Sequence, residues 1–362
     1  MKAVEVCVDA RMIAHSGIGT FLRNLLPHLI ADPGLRFSLL GDREKLAGYP
    51  WFDPGRFVPI VAAIYSLREQ AGLRSCIPPC DVFWSPHFNV PLLPIRARRR
   101  LATIHDVLHL AHPHLFAWPK RVYSRILFEG AVRLSDAVAT VSEFSRSEIE
   151  SRLSPTPGKL TVIPNGRDPD FAQGLGPAAP AEDYLLFVGN VKPHKNIVGA
   201  MRAFMKVGPR YPRLTLRIVG RKDGFITGDA QVAELAAALG GKVVFTGHVS
   251  DRELKEYYRD AKALVFPSLY EGFGLPILEA MSFGIPVLSS DRASMPEVGG
   301  DAILYRDPED IDGFARGIED ILEGRWRPDP ARYRARLEKF DWGRSAEAYG
   351  ELIRTVAAKG RG

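Results

Sequence analysis

The sequence predicts an α/β protein of two domains, each a parallel sheet covered by helices. Three observations predict it. Short apolar runs of strand length alternate with helix-period stretches along most of the chain, which is the rhythm of a parallel sheet. The length, 362 residues, exceeds what one core ordinarily carries. A turn-rich passage near the middle, PNGRDPDF at 164–171 and then GLGPAAPAED at 174–183, interrupts the rhythm. The boundary is set there. Residues 1–170 form the first domain and 171–344 the second, and a final helix over about 345–362 packs back onto the first.

In the first domain Val4–Val8 is a short apolar strand followed by Asp9-Ala10-Arg11. Gly17 and Gly19 then precede a stretch with apolar residues at helical spacing: Phe21, Leu22, Leu25, Leu26 and Leu29. The two glycines allow a phosphate close to that helix start. Position 22 is Leu, so the full G-x-G-x-x-G is absent and a tight turn explains the spacing equally well. Strands follow at Arg36–Leu40, Asp81–Ser85 and Arg100–Ile104. The last ends in His105-Asp106, at the carboxyl end where open α/β sheets bind ligands. Residues 117–134 read as an amphipathic helix whose basic residues are Lys120, Arg121, Arg125 and Arg133. Its face suits an anionic membrane surface, an anionic acceptor or plain solvent. Asp136–Val141 is a strand, Ser142 or Glu143 opens a helix, and Lys159–Ile163 closes the domain.

The second domain repeats the pattern. Tyr184–Gly189 is a strand, followed by a loop 190–196 and a helix from about Ile197. Leu214–Gly220 and Val243–Gly247 are strands, and Ser250-Asp251-Arg252-Glu253 fits a capping box. The stretch 263–284, ALVFPSLYEGFGLPILEAMSFG, reads as strand Ala263–Phe266, a glycine-bearing turn and a helix opening at Pro276. Gly272 and Gly274 let the backbone approach a ligand, and the helix start suits an anion. Glu271 and Glu279 then offer two carboxylates for hydroxyls.

Bulk properties narrow the class. The net charge of +6 sits mainly in the first half, where residues 1–170 hold 21 Lys and Arg against 16 Asp and Glu. That surplus is too small to argue for nucleic acid. Cys7, Cys76 and Cys80 are too few for a disulfide framework. With His87, Cys76 and Cys80 lack a fourth zinc ligand. Asp168-Pro169-Asp170 is a literal D-x-D, but it lies in the connection between domains and reads as linker. No leader-like segment opens the chain and no apolar run approaches the roughly 20 residues that span a bilayer. A cytoplasmic protein, peripheral at most to the inner face of a membrane, is expected.

Several motifs in order resemble a known family: GIG (17–19), IHD (104–106), VSEFS (141–145), IPNG (163–166), FVGNVKPHKN (187–196), FTGHVSD (245–251), PSLYEGFGLPILEAMSFGIPV (267–287) and PEVGGDA (296–302). Together they resemble glycosyltransferase family four, in the dialect of its mannosyltransferase-like members. The resemblance implies a GT-B fold, two Rossmann-like domains facing each other across a cleft. It implies retaining, metal-independent transfer of a hexose, mannose- or rhamnose-like, from a nucleotide-diphosphate sugar, GDP-linked, to a glycan or lipid-linked acceptor in surface polysaccharide synthesis. No cofactor is implied. By the same resemblance Glu271 binds donor-sugar hydroxyls and Glu279 the ribose hydroxyls. The backbone of Phe273, Gly274 and Leu275 lines the sugar and diphosphate, and Lys195 neutralises the departing diphosphate. Gly17 closes over it from the first domain, His105 contacts the sugar near the anomeric centre, and His248 and Val249 meet the base. The family often carries an Arg where this chain has Asn190, so Lys192, Arg221 or Lys222 is expected to supply the second positive charge beside the donor. A silent nucleotide-sugar-binding scaffold, or a phosphorylase or epimerase on the same plan, is the alternative.

Overall fold

The structure, a computed structural model, describes residues 2–60, 62–176, 183–220 and 230–359. Two compact units divide the chain: Met1–Gly166 with Asp341–Gly362, and Arg167–Phe340.

In the first unit the strands are β1 (Val4–Asp9), β2 (Leu35–Gly41), β3 (Phe57–Pro59), β4 (Cys80–Ser85), β5 (Ala97–Ile104), β6 (Ala137–Thr140) and β7 (Leu160–Val162). Among the described residues they form one parallel sheet in the order β3-β2-β1-β4-β5-β6-β7. The order reverses between β1 and β4, so the loops after those two strands diverge and leave a crevice. The helix Ile18–Ile30 buries Phe21, Leu22, Leu25, Leu26 and Leu29, the periodic residues of its sequence. Its packing partner comes from the end of the chain. The helix Trp342–Ala358 sets Tyr349 beside Phe21 (centroids 5.6 Å) and Trp84 (5.2 Å), with the Tyr349 hydroxyl 3.2 Å from Thr103 Oγ1. Gly166 is obligatory at this join, because a Cβ there would lie 2.1 Å from the Trp342 nitrogen.

The second unit carries β8 (Tyr184–Val188), β9 (Thr215–Val219), β10 (Val243–Gly247), β11 (Ala263–Phe266), β12 (Val287–Ser290) and β13 (Leu304–Arg306). Their order is β10-β9-β8-β11-β12-β13, again parallel, with its reversal between β8 and β11. The core gathers Phe187, Ile218 and Val265 from the strands with Met201 and Phe204 from the helix Ile197–Val207 and Phe314 from the helix Ile311–Leu322. Truncating a buried Phe at such a position costs roughly 3–5 kcal/mol.

Several expectations shift by a residue or a few. The helix expected to open at Pro276 begins at Leu275, with Gly274 in the left-handed region (φ 112°) as its N-cap. The first helix begins at Ile18 rather than Phe21, and the last at Trp342 rather than about 345. The basic amphipathic helix is Trp118–Leu134. The segment 41–80, where periodicity predicts no element, holds β3 and the helix Leu67–Cys76.

Candidate active site

The two loops at the reversal of the second sheet bring the motif residues together. After β8 the chain makes a short turn at Pro193–Lys195, and Asn196, in the left-handed region, caps the next helix by accepting from the Gly199 N–H. After β11 the loop 267–274 runs alongside. A backbone hydrogen bond from Leu269 N to His194 O (2.7 Å) ties the loops together. This sets Lys195 Nζ 2.5 Å from Glu271 Oε1, with the two side chains only 17% and 14% exposed. The ammonium also lies 5.8 Å from the centre of the Phe266 ring. Each side chain of the pair keeps a small exposed edge.

The loop is held by hydroxyls that sequence reasoning missed. Ser294 Oγ, fully buried, donates within reach of both Glu271 O (2.9 Å) and Phe273 O (2.7 Å). Ser290 Oγ donates to Ser268 O (2.6 Å). The Phe273 ring is buried edge-on against Phe340 (5.5 Å). Phe273, Gly274 and Leu275 thus offer backbone rather than side chain, at a helix N-terminus suited to negative charge.

Glu279 sits one turn into that helix and accepts from the Tyr258 hydroxyl at 2.6 Å. Burial pushes its carboxyl up to about 7, against the lowering effect of the Tyr258 bond, while Asp251 adds to the rise. Tyr258 is itself clamped, stacked on Phe283 (6.0 Å, 8°) and met edge-on by Phe171. Tyr258 carries no motif signal, since it lies within an ordinary amphipathic helix, Asp251–Asp260. His248 and Val249 follow β10 just before the capping box of that helix, formed by Ser250 and Glu253. His248 is exposed and Val249 half-buried. Asn190 lies half-buried after Gly189, and Lys192 is exposed. Arg221 and Lys222 lie outside the described residues. Asp168 turns inward on its own loop, accepting from Asp170 N (2.9 Å).

In the first unit Gly17 takes φ 73° with open space where a Cβ would stand, whereas a Cβ on Gly19 would meet Ile13 O at 2.5 Å. Gly17 therefore serves the turn and Gly19 the packing. His105 Nε2 lies 3.0 Å from Pro86 O, and its ring meets Phe21 edge-on at 4.9 Å. Burial lowers its pKa to about 4, so it stands as a neutral imidazole whose other nitrogen is an acceptor.

A second polar cluster fills the reversal of the first sheet. Arg11, 6% exposed, binds Asp9 through Nε (2.8 Å) and Nη2 (2.5 Å) and Glu69 through Nη1 (2.6 Å). Glu69, wholly buried, also accepts from Asn89 Nδ2 (2.6 Å) and from Tyr65 N (2.6 Å). Tyr65 sits in the left-handed region (φ 68°). Its hydroxyl is 3.1 Å from His87 Nε2. Among these residues the sequence reading weighed only His87, and as a zinc ligand; the three cysteines are free.

Comparison with known proteins agrees with this architecture. The Glycosyltransferase Family 4 model matches residues 16–171 and the Glycosyl transferases group 1 model matches 176–339. O-antigen chain mannosyltransferase B of Escherichia coli is 32% identical over 280 residues, covering 72% of this chain and 71% of that protein. O-antigen chain mannosyltransferase RfbU of Salmonella typhimurium is 32% identical over 269 residues, covering 74% and 71%. Among solved structures, sucrose-phosphate synthase from Thermosynechococcus elongatus superposes with a TM-score of 0.76 at 20% identity, covering 98% of this chain and 99% of that one. The Anabaena protein HepE in complex with UDP-glucose gives 0.77 at 16% identity, covering 97% and 100%. The fold is that of the GT-B glycosyltransferases. Within that class, the chain belongs to glycosyltransferase family four.

Proposed function

We propose that the chain moves a mannose- or rhamnose-like hexose from a GDP-linked donor to a glycan or lipid-linked acceptor, with retention of configuration and without a metal, in surface polysaccharide synthesis. The observation that carries this reading is the sheltered Lys195–Glu271 pair at the reversal of the second sheet. A diphosphate is a good leaving group, so catalysis rests on positioning and on a cation where negative charge grows. When the donor enters, its diphosphate takes over the Lys195 ammonium and the Phe273–Leu275 backbone. Glu271, released from the ammonium, accepts from sugar hydroxyls. Glu279 accepts from the ribose, His248 and Val249 meet the base, and Asn190 lies beside the donor. Lys192, Arg221 or Lys222 supplies further positive charge. His105, neutral, accepts from a hydroxyl near the anomeric carbon, and Gly17 lets the first unit's turn approach. Neither glutamate attacks the sugar. The mannosyl and surface-glycan part of the reading leans on the named activities of the two O-antigen relatives.

The test is a transfer assay with GDP-mannose, with the anomeric configuration of the product read by NMR, with and without EDTA. Retention and undiminished turnover in EDTA are expected; inversion or metal dependence overturns the reading. A thermal-shift panel of GDP-, UDP-, ADP- and dTDP-sugars assigns the base. Donor binding with neither hydrolysis nor transfer would identify a silent scaffold. Turnover with inorganic phosphate would identify a phosphorylase, and donor isomerised without acceptor an epimerase.

Trp118, 72% exposed, shares a face of its helix with exposed Val122 and Ile126 and with Arg125 and Arg133. This arrangement fits a peripheral, cytoplasmic-face enzyme resting on anionic lipid. Co-sedimentation with phosphatidylglycerol vesicles, lost with Trp118→Ser, tests it.

A further inference from the structure

Ser294 stands at the N-cap position of the short helix Met295–Gly299, yet its side chain makes no capping bond to that helix. A serine there ordinarily accepts from a backbone N–H two or three residues on. The residue before it, Ala293, sits in the left-handed region (φ 52°), an uncommon and strained place for a residue with a Cβ. Ser294 itself is fully buried. Its Oγ lies 2.7 Å from Phe273 O and 2.9 Å from Glu271 O. Both partners are carbonyl oxygens, so the hydroxyl is the donor and shares its one proton between them. The strained turn at Ala293 and the unused cap therefore both serve the loop after β11.

We infer that Ser294 is a positioning residue for the donor's diphosphate, and that it acts by aiming the peptide groups of the 271–274 turn. The inference deepens, and rests on, the reading of the chain as a nucleotide-sugar transferase. In a planar trans peptide the N–H points away from the C=O. A Phe273 carbonyl drawn toward the buried hydroxyl turns the Gly274 N–H to the opposite side of the loop. The Glu271 carbonyl does the same for the Gly272 N–H. Gly274, at φ 112°, holds this orientation where a residue with a Cβ would be strained. The bond to Glu271 O also fixes the backbone from which the Glu271 side chain reaches Lys195. Ser294 thus touches no substrate in this arrangement and works through the backbone it holds. It governs the grip on the diphosphate. It leaves the nucleoside alone, because Glu279, His248 and Val249 lie beyond the segment it holds.

The experiment is isothermal titration of the full chain and of Ser294→Ala with GDP, guanosine and inorganic pyrophosphate. Ser294→Ala is expected to bind GDP about tenfold more weakly, the effect of one lost hydrogen bond with two buried carbonyls left unmade. Guanosine affinity is expected to stay unchanged, which also reports that the variant is folded. A loss shared equally by guanosine, or GDP affinity unaltered, overturns the inference. Pyrophosphate carries no base and is expected to weaken by the same factor; an unaltered pyrophosphate affinity overturns the inference whichever base the donor carries. Wild-type protein that binds pyrophosphate but not GDP would count against the GDP reading of the proposed function, while the pyrophosphate comparison still decides the role of Ser294.

Discussion

The two sheets reverse their strand order in the same way, yet the charges at the two reversals are used differently. In the first unit Arg11, 6% exposed, is paired with Asp9 and with the wholly buried Glu69. In the second, one ammonium meets one carboxylate at 17% and 14% exposure, with the Phe273–Leu275 backbone alongside. The same topology thus holds a buried cluster of two carboxylates and one guanidinium in one unit and a single, partly exposed ion pair in the other. Charges locked inside low dielectric hold shape, whereas charges left at the edge can trade partners.

Removing one partner from each cluster tests this contrast directly. Glu69→Ala leaves Arg11 paired with Asp9 but deprives the buried Asn89 amide and the Tyr65 N–H of their acceptor, and the expected loss is about 1–3 kcal/mol of stability, measured by urea unfolding. A loss under about 1 kcal/mol would make the first cluster a surface-like one. Lys195→Ala and Glu271→Ala are expected to leave the chain folded and to lower turnover about 10²–10³-fold, measured with GDP-mannose; full activity in either would remove that residue from the site.

A third prediction concerns pH. The Glu279 carboxyl is raised to about 7 by burial. On the proposed role of an ionised Glu279 as acceptor for the ribose hydroxyls of GDP, affinity is expected to be greatest above that pH and to fall by up to about tenfold per unit below it. Isothermal titration across pH 5.5–8.5 reads the limb, and a flat profile would separate Glu279 from the nucleotide. In the nucleotide-free protein the sign is opposite. The folded carboxyl keeps its proton longer than the unfolded one, so stability present below about 4.5 is lost as pH rises through about 7. The smallest expected effect is that of Tyr258→Phe. Without the hydroxyl that favours the carboxylate, the acid limb moves to higher pH and GDP binding weakens a few-fold at neutrality, about 1 kcal/mol. A purely structural Tyr258 would leave the limb where it is.

The βα rhythm was legible because buried parallel strands are nearly continuous apolar runs. The helix Leu67–Cys76 escaped because its buried residues include Glu69 and Gln70, charged and polar groups that periodicity assigns to solvent. In the second unit Lys195 and Glu271 were legible as motif residues, but their contact spans 76 positions and depends on the backbone bond between the two loops. Ser294 and Tyr258 were not legible. They reach Glu271 and Glu279 from 23 and 21 residues away, and a lone serine or tyrosine carries no signal until the fold sets it in place. The Asp9–Arg11–Glu69 cluster was hidden for the same reason, since Glu69 comes from a helix that periodicity does not predict.

The helix Trp342–Ala358 has a consequence for how the chain is made. It covers Phe21 and Trp84 with residues that leave the ribosome more than 300 positions after Phe21. The whole of Arg167–Phe340 is synthesised between the two parts of the first unit. The second unit can therefore close its core during synthesis, while the first must wait with aromatic surface uncovered, and domains that wait in this way are the ones that chaperones meet. Birth order and sequence order are thus reversed here: the unit that begins the chain is the last to be finished.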